Sequence, residues 1–182
     1  MVLKTRSFLL LFLLMFGPNL SHAADSREKE EAFIRIVLEN KRQPIIDMLE
    51  KGANVNQITG TGQTILCAAS MLGKAVAVKV LMDHGAKLLD DCLVTAVANG
   101  QVEITALFLD RGKKPDTVAD ENGDRLLHMA VRNGDVAVTG LLLERGADVS
   151  LKNAAGETPH DILVKGRELI DALEHLLKNA SR

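Results

Sequence analysis

Arg125-Leu126-Leu127-His128-Met129-Ala130-Val131-Arg132-Asn133-Gly134, followed by Val136-Ala137-Val138-Thr139-Gly140-Leu141-Leu142-Leu143-Glu144-Arg145-Gly146-Ala147-Asp148-Val149, is the stretch that decides the fold. Its apolar residues recur at helical spacing. Each half ends in glycine, where a helix C-cap needs a positive φ that glycine adopts without steric cost. The same plan recurs upstream, with Gln63-Thr64-Ile65-Leu66-Cys67-Ala68-Ala69-Ser70-Met71-Leu72-Gly73 leading into Val76-Ala77-Val78-Lys79-Val80-Leu81-Met82-Asp83-His84-Gly85-Ala86.

The small residues that end the first helix of each unit set the register: Asn40, Gly73, Gly100 and Gly134, at spacings of 33, 27 and 34. Gly52, Gly85, Gly112 and Gly146 each lie 12 residues beyond an anchor. The helix pair, its T-P-L-H-x-A-like core and a period of about 33 residues resemble the ankyrin repeat. The resemblance covers residues 31 to 178 and implies an all-α ankyrin-repeat solenoid of four repeats plus a partial C-terminal capping unit.

The first unit, Glu31 to Asn56, keeps only its second helix and the Lys51–Asn56 turn in good form, as a terminal cap does. The units from Thr61 to Leu88 and from Gly123 to Ser150 match clearly. The unit between them, Asp91 to Asp116, has lost the threonine, proline and histidine signature. The short link Lys87-Leu88-Leu89-Asp90 leaves no room for the usual hairpin finger, which predicts a notch in the row of fingertips. In the last unit Thr158 reads as N-cap and Pro159 as the first helical residue. Beyond it, Leu169, Ile170, Leu173, Leu176 and Leu177 would cover the final core layer. Residues 179–182 form a tail.

Residues 1–23 read as a secretory signal peptide: Lys4 and Arg6, then nine apolar residues from Phe8 to Phe16, then Ser21-His22-Ala23 as a cleavage site. Residues 24–30 read as a linker. Nine apolar residues fall well short of the ~20 that span a bilayer, so no stable membrane insertion is expected after cleavage. Export makes the periplasm the expected location, with secretion as the alternative. An exported stack of this size is similar to small periplasmic ankyrin proteins of Gram-negative bacteria.

The net charge is −2, and loss of Lys4 and Arg6 with the signal takes it to −4. There is no Trp or Tyr. Mild acidity without aromatic stacking platforms argues against nucleic acid as a partner. Phe33 and Phe108 are expected in the core. Cys67 and Cys92 read as two small buried thiols. A disulfide is the alternative that export permits, but it needs Cα atoms within ~7 Å, and adjacent repeats stack about a helix diameter apart.

No His or Cys pair has metal-site spacing, and nothing reads as a nucleophile elbow, phosphate loop or carboxylate pair. No catalytic residue, metal or cofactor is expected. His128 takes the signature position, where the resemblance implies that the imidazole ties loop backbone together.

The candidate surface is therefore for protein. The residues before each anchor, which the repeat exposes on its concave face, are Leu38 and Glu39, Met71 and Leu72, Ala98 and Asn99, and Arg132 and Asn133. Met71-Leu72 beside Leu38 would form an apolar patch, and such patches mark interaction sites. The fingertips Ile58-Thr59 and the charged group Asp120, Glu121, Asp124 and Arg125 form a second candidate. The leading functional expectation is an inhibitor or immunity protein against a secreted toxin such as a lipase effector. The alternatives are an accessory scaffold for a periplasmic enzyme of catalase-type oxidative defence and a secreted effector acting on a host.

Overall fold

A computed structural model describes residues 27–167. The signal segment, the 168–178 stretch and the C-terminal tail expected above lie outside the described residues. Nine helices are present among the described residues: α1 (27–38), α2 (Arg42–Glu50), α3 (Ile65–Met71), α4 (Ala75–Asp83), α5 (Asp90–Ala98), α6 (Val102–Asp110), α7 (Leu126–Arg132), α8 (Val136–Glu144) and α9 (159–167). They pack as sequential antiparallel pairs. Each inner helix also lies against the inner helix of the next pair, α3 on α5 and α5 on α7, and each outer helix on the next outer one, α2 on α4, α4 on α6 and α6 on α8. This is an all-α solenoid of stacked helix pairs, consistent with the ankyrin-repeat architecture that the resemblance implies.

The anchor residues explain the sharp reversals between paired helices. Gly73, Gly100 and Gly134 have φ near +65 to +68°, and Asn40 holds the same left-handed conformation at φ +59°. Asn40 has a second use. Its Oδ1 accepts from the Ala77 N–H at 2.9 Å, capping α4, whose own N-cap Lys74 offers no side-chain acceptor. In α8 the corresponding bond is internal, from Val138 N–H to Asp135 Oδ1 at 2.9 Å.

Two expectations about the N-terminal unit change. The first helix is present, because Phe33 and Val37 are buried against the stack and supply the apolar face that the missing signature does not. It takes in residues 27–30, which the sequence reading assigned to a linker. At the other end, Thr158 caps α9 through its Oγ1, which accepts from the Asp161 N–H at 3.3 Å, while Asp161 Oδ2 accepts from the Thr158 N–H at 2.9 Å.

The core runs unbroken through the units. Phe33, Ile45, Leu66, Leu81, Leu93, Phe108, Leu126 and Leu142 are each fully enclosed. Finger hairpins close at the isolated bridges Ile58↔Thr64 and Val118↔Arg125. A third finger folds back through the bond from Asn153 N–H to Glu157 O. Between α4 and α5, residues 86–89 make no hairpin, and the expected notch is there.

The cysteines overturn the favoured reading. Cys67 and Cys92 form a disulfide, with Cα atoms 4.3 Å apart. Each is the third residue of an inner helix, and both are buried. The helix-diameter argument failed because α3 and α5 are rich in small buried residues, Cys67, Ala68, Ala69 and Ser70 in one and Cys92 and Ala96 in the other. Two helices lined this way approach more closely than average cylinders.

Candidate protein-binding face

The residues before the anchors line up along the stack, and two hydrogen bonds show the register. Gln101 Nε2 donates to Met71 O at 3.4 Å, and Asn133 Nδ2 donates to Ala98 O at 3.5 Å, each crossing to the preceding unit. Along this row Met71 is 37% and Leu72 49% exposed, while Ala98, Asn99, Arg132 and Asn133 are all exposed. Leu38 is half-buried instead of open, because α1 turns it toward the packed side that holds Val37. The apolar exposure of the row is therefore concentrated at Met71-Leu72. Asn99 spends its amide on the Thr95 carbonyl at 2.8 Å, closing its own helix.

The charged fingertip group divides. Asp124 is fully buried, contrary to its placement on an exposed tip. Its carboxylate accepts from the Arg132 guanidinium and, at 2.8 Å, from Asn153 Nδ2 of the next finger. Burial pushes this carboxyl up. The hydrogen bonds from Arg132 and Asn153, with the charge of Arg132, outweigh burial and hold it below the usual carboxylate range. The same bond to Asp124 raises Arg132 further. Arg132, expected as a free contact, is thus an internal brace with part of its side chain in solvent.

Asp120 is also engaged locally. Its Oδ1 accepts from the N–H groups of Asn122 and Asp124 at 2.9 and 3.1 Å, which shapes the finger turn. Arg125 bends to the finger base, where Nη1 donates to Asp116 O at 3.1 Å, and its buried Nε has no partner among the described residues. Glu121 remains exposed. On the first finger Ile58 is 51% exposed, whereas Thr59 is half-buried and its hydroxyl donates to Gln63 O at 3.1 Å.

His128 ties backbone together. Its Nδ1 accepts from the Arg125 N–H at 3.1 Å, so Nε2 carries the proton and donates to Glu157 O at 3.0 Å. Among the described residues no cluster of three His, Cys, Asp or Glu could hold a metal ion, and no helix is long and apolar enough to cross a membrane.

Residues 87–153 match a family model described as ankyrin repeats in three copies. The match begins at the notch and runs into the last finger. Comparison with curated proteins returned no match. Ankyrin repeats typically bind proteins and are generally non-catalytic.

Proposed function

We propose that this chain is an exported, non-enzymatic protein-binding module, and that within that class it is an inhibitor or immunity protein that occludes a secreted toxin such as a lipase effector. The observation that carries the binding reading is the exposed Met71-Leu72 pair on a row otherwise occupied by alanine, asparagine and a braced arginine. Methionine adapts its shape to a partner surface, and interface energy concentrates in a few anchors. The Cys67–Cys92 disulfide hints at an oxidising compartment, in keeping with the signal-like segment. Expected locations are the periplasm or, as the alternative, the medium. A stack without chemistry of its own acts there by covering another protein.

The test is an affinity pull-down of the tagged chain from periplasmic extract, repeated with Met71→Asp and Leu72→Asp together. Both side chains are exposed, so the variant should melt like the parent. A stoichiometric partner lost on substitution supports the module and reveals whether the target is a toxin or an enzyme. A partner retained by the variant removes this face. For the immunity role, a deletion strain should lose competitions against toxin-bearing siblings, and normal competition sinks that role.

A further inference from the structure

We propose that the notch left by the missing finger is a docking slot for a β-hairpin loop of the partner protein, carrying an acidic side chain. This deepens the protein-binding reading and rests on it. The stack itself supplies the precedent. Where fingers are complete, the third finger docks on the second through a main-chain bond, from Ala154 N–H to Asn122 O at 2.8 Å. Aligned on the turn glycines Gly62 and Gly123, the residues that would meet an intervening finger are Thr61, as acceptor on the first finger, and Glu121, as donor on the second. The Thr61 carbonyl and the Glu121 N–H have no hydrogen-bond partner among the described residues. A hairpin in the notch continues the established finger-on-finger interface and completes both bonds, a local form of strand addition.

On the second-finger side of the notch, at the base of that finger, lies a cleft of about 530 Å³ whose lining includes Asp90, Lys113, Lys114, Asp116, Val118 and Arg125. Its three cations, Lys113, Lys114 and Arg125, outnumber its two carboxylates, Asp90 and Asp116. Asp90 accepts from Lys113 Nζ at 2.7 Å, and Asp116 Oδ1 accepts from the Asp148 N–H at 2.9 Å. Lys114 is exposed and the Arg125 guanidinium donates only to the Asp116 carbonyl, so neither cation has an anionic partner among the described residues. Charge complementarity therefore selects an acidic side chain on the incoming loop. Val118 is 48% exposed and Leu89, at the floor of the gap, 39%, apolar surface that a docked hairpin removes from water.

The probe is a synthetic cyclised peptide copying residues 113–125, a hairpin of the shape that fills the neighbouring positions, with acidic residues at its tip. It is titrated to millimolar concentration into the ¹⁵N-labelled protein. The slot predicts saturable amide shifts at Thr61, Gly62, Leu89 and Glu121, and several-fold weaker binding by a peptide with Asn and Gln at its two acidic tip positions. A second protein variant, with a finger of roughly six residues inserted between Leu88 and Leu89, should keep or raise its melting temperature and lose the shifts. No shifts, shifts that persist in the insertion variant, or shifts confined to Met71-Leu72 overturn the slot. In the pull-down, a partner kept by the insertion variant but lost with Met71→Asp and Leu72→Asp leaves the binding module standing and overturns the slot alone.

Discussion

The junction between the second and third units and that between the fourth and fifth perform the same task with different chemistry. Cys67 and His128 each lie six residues before the anchor glycine of their unit. At the later junction the imidazole bridges Arg125 N–H to Glu157 O, a finger is present, and Asn153 reaches back to Asp124. At the earlier junction there is no finger, and the residue in the histidine position is joined covalently to Cys92 instead. A hydrogen-bonded staple needs a loop to hold. Where that loop has been dropped, a bond between two inner helices holds the units together without one. What is left of the loop's work is small: Asn56 Oδ1 accepts from the Lys87 N–H at 2.8 Å, and Thr64 Oγ1 lies 3.7 Å from Cys92 Sγ.

This contrast is most sharply broken by removing the disulfide. Cys67 and Cys92 are 25 residues apart, and closing a loop of that size stabilises by about 3 kcal/mol in the chain-entropy description. Replacing both with alanine should lower the melting temperature by about 10 °C, taking about 2–4 °C per kcal/mol for a chain of this size. Dithiothreitol should have little further effect on that variant and a large one on the parent. An unchanged melting temperature would mean the inner-helix contact holds the junction unaided. At the other junction, His128→Ala leaves the Arg125 N–H and the Glu157 carbonyl without their partner, a cost of about 1–3 kcal/mol that reductant should not alter. Equal sensitivity of both variants to reductant would erase the distinction.

The next effect depends on pH. Because the Asp124 carboxyl is held below its usual value in the fold, it binds fewer protons there than in the unfolded chain. Its contribution is therefore fully present above about pH 4, the unfolded value, and is lost as pH falls through the lower folded value. Denaturation measured from neutral pH downward through and below about pH 4, the unfolded value, should show the parent losing stability on the acid side. Asp124→Asn should be less stable at neutral pH, with a flatter profile. Arg132→Ala should cost about 1–3 kcal/mol at neutral pH, since it leaves a buried charge with one fewer donor. A parallel profile for Asp124→Asn would remove this carboxylate from the acid response.

Much of the stack was legible because its punctuation is local. Gly73, Gly100 and Gly134 announce their reversals by residue type, and all take positive φ as that type permits. The exposure of Met71 and Leu72 follows from their place at a helix end. What escaped the sequence depends on partners that only the stacking brings near. Asp124 reads as one more acid at a loop tip until Asn153, 29 residues on, and Arg132 enclose it. The disulfide was hidden because helix separation was taken as a constant, whereas the small residues of α3 and α5 shorten it. α1 was undervalued because it carries no signature, only an apolar face.

Gly140 gives the smallest effect and tests how far the two junctions are energetically separate. It lies inside α8, and a Cβ at this position would meet nothing within 4 Å. Its backbone also lacks the positive φ that the anchor glycines require. Gly140→Ala should therefore stabilise α8 by about 1 kcal/mol through helix propensity alone. In a repeat stack, stability is a sum of unit and nearest-neighbour terms, so the gain need not reach the second unit once the earlier junction is weakened. In the oxidised protein the substitution should raise a single transition. In the reduced protein, melting should split, and only the transition that includes the fourth unit should move. If both transitions rise together after reduction, the contact between α3 and α5 couples the units without the covalent bond, and the disulfide adds stability without being what joins the two halves.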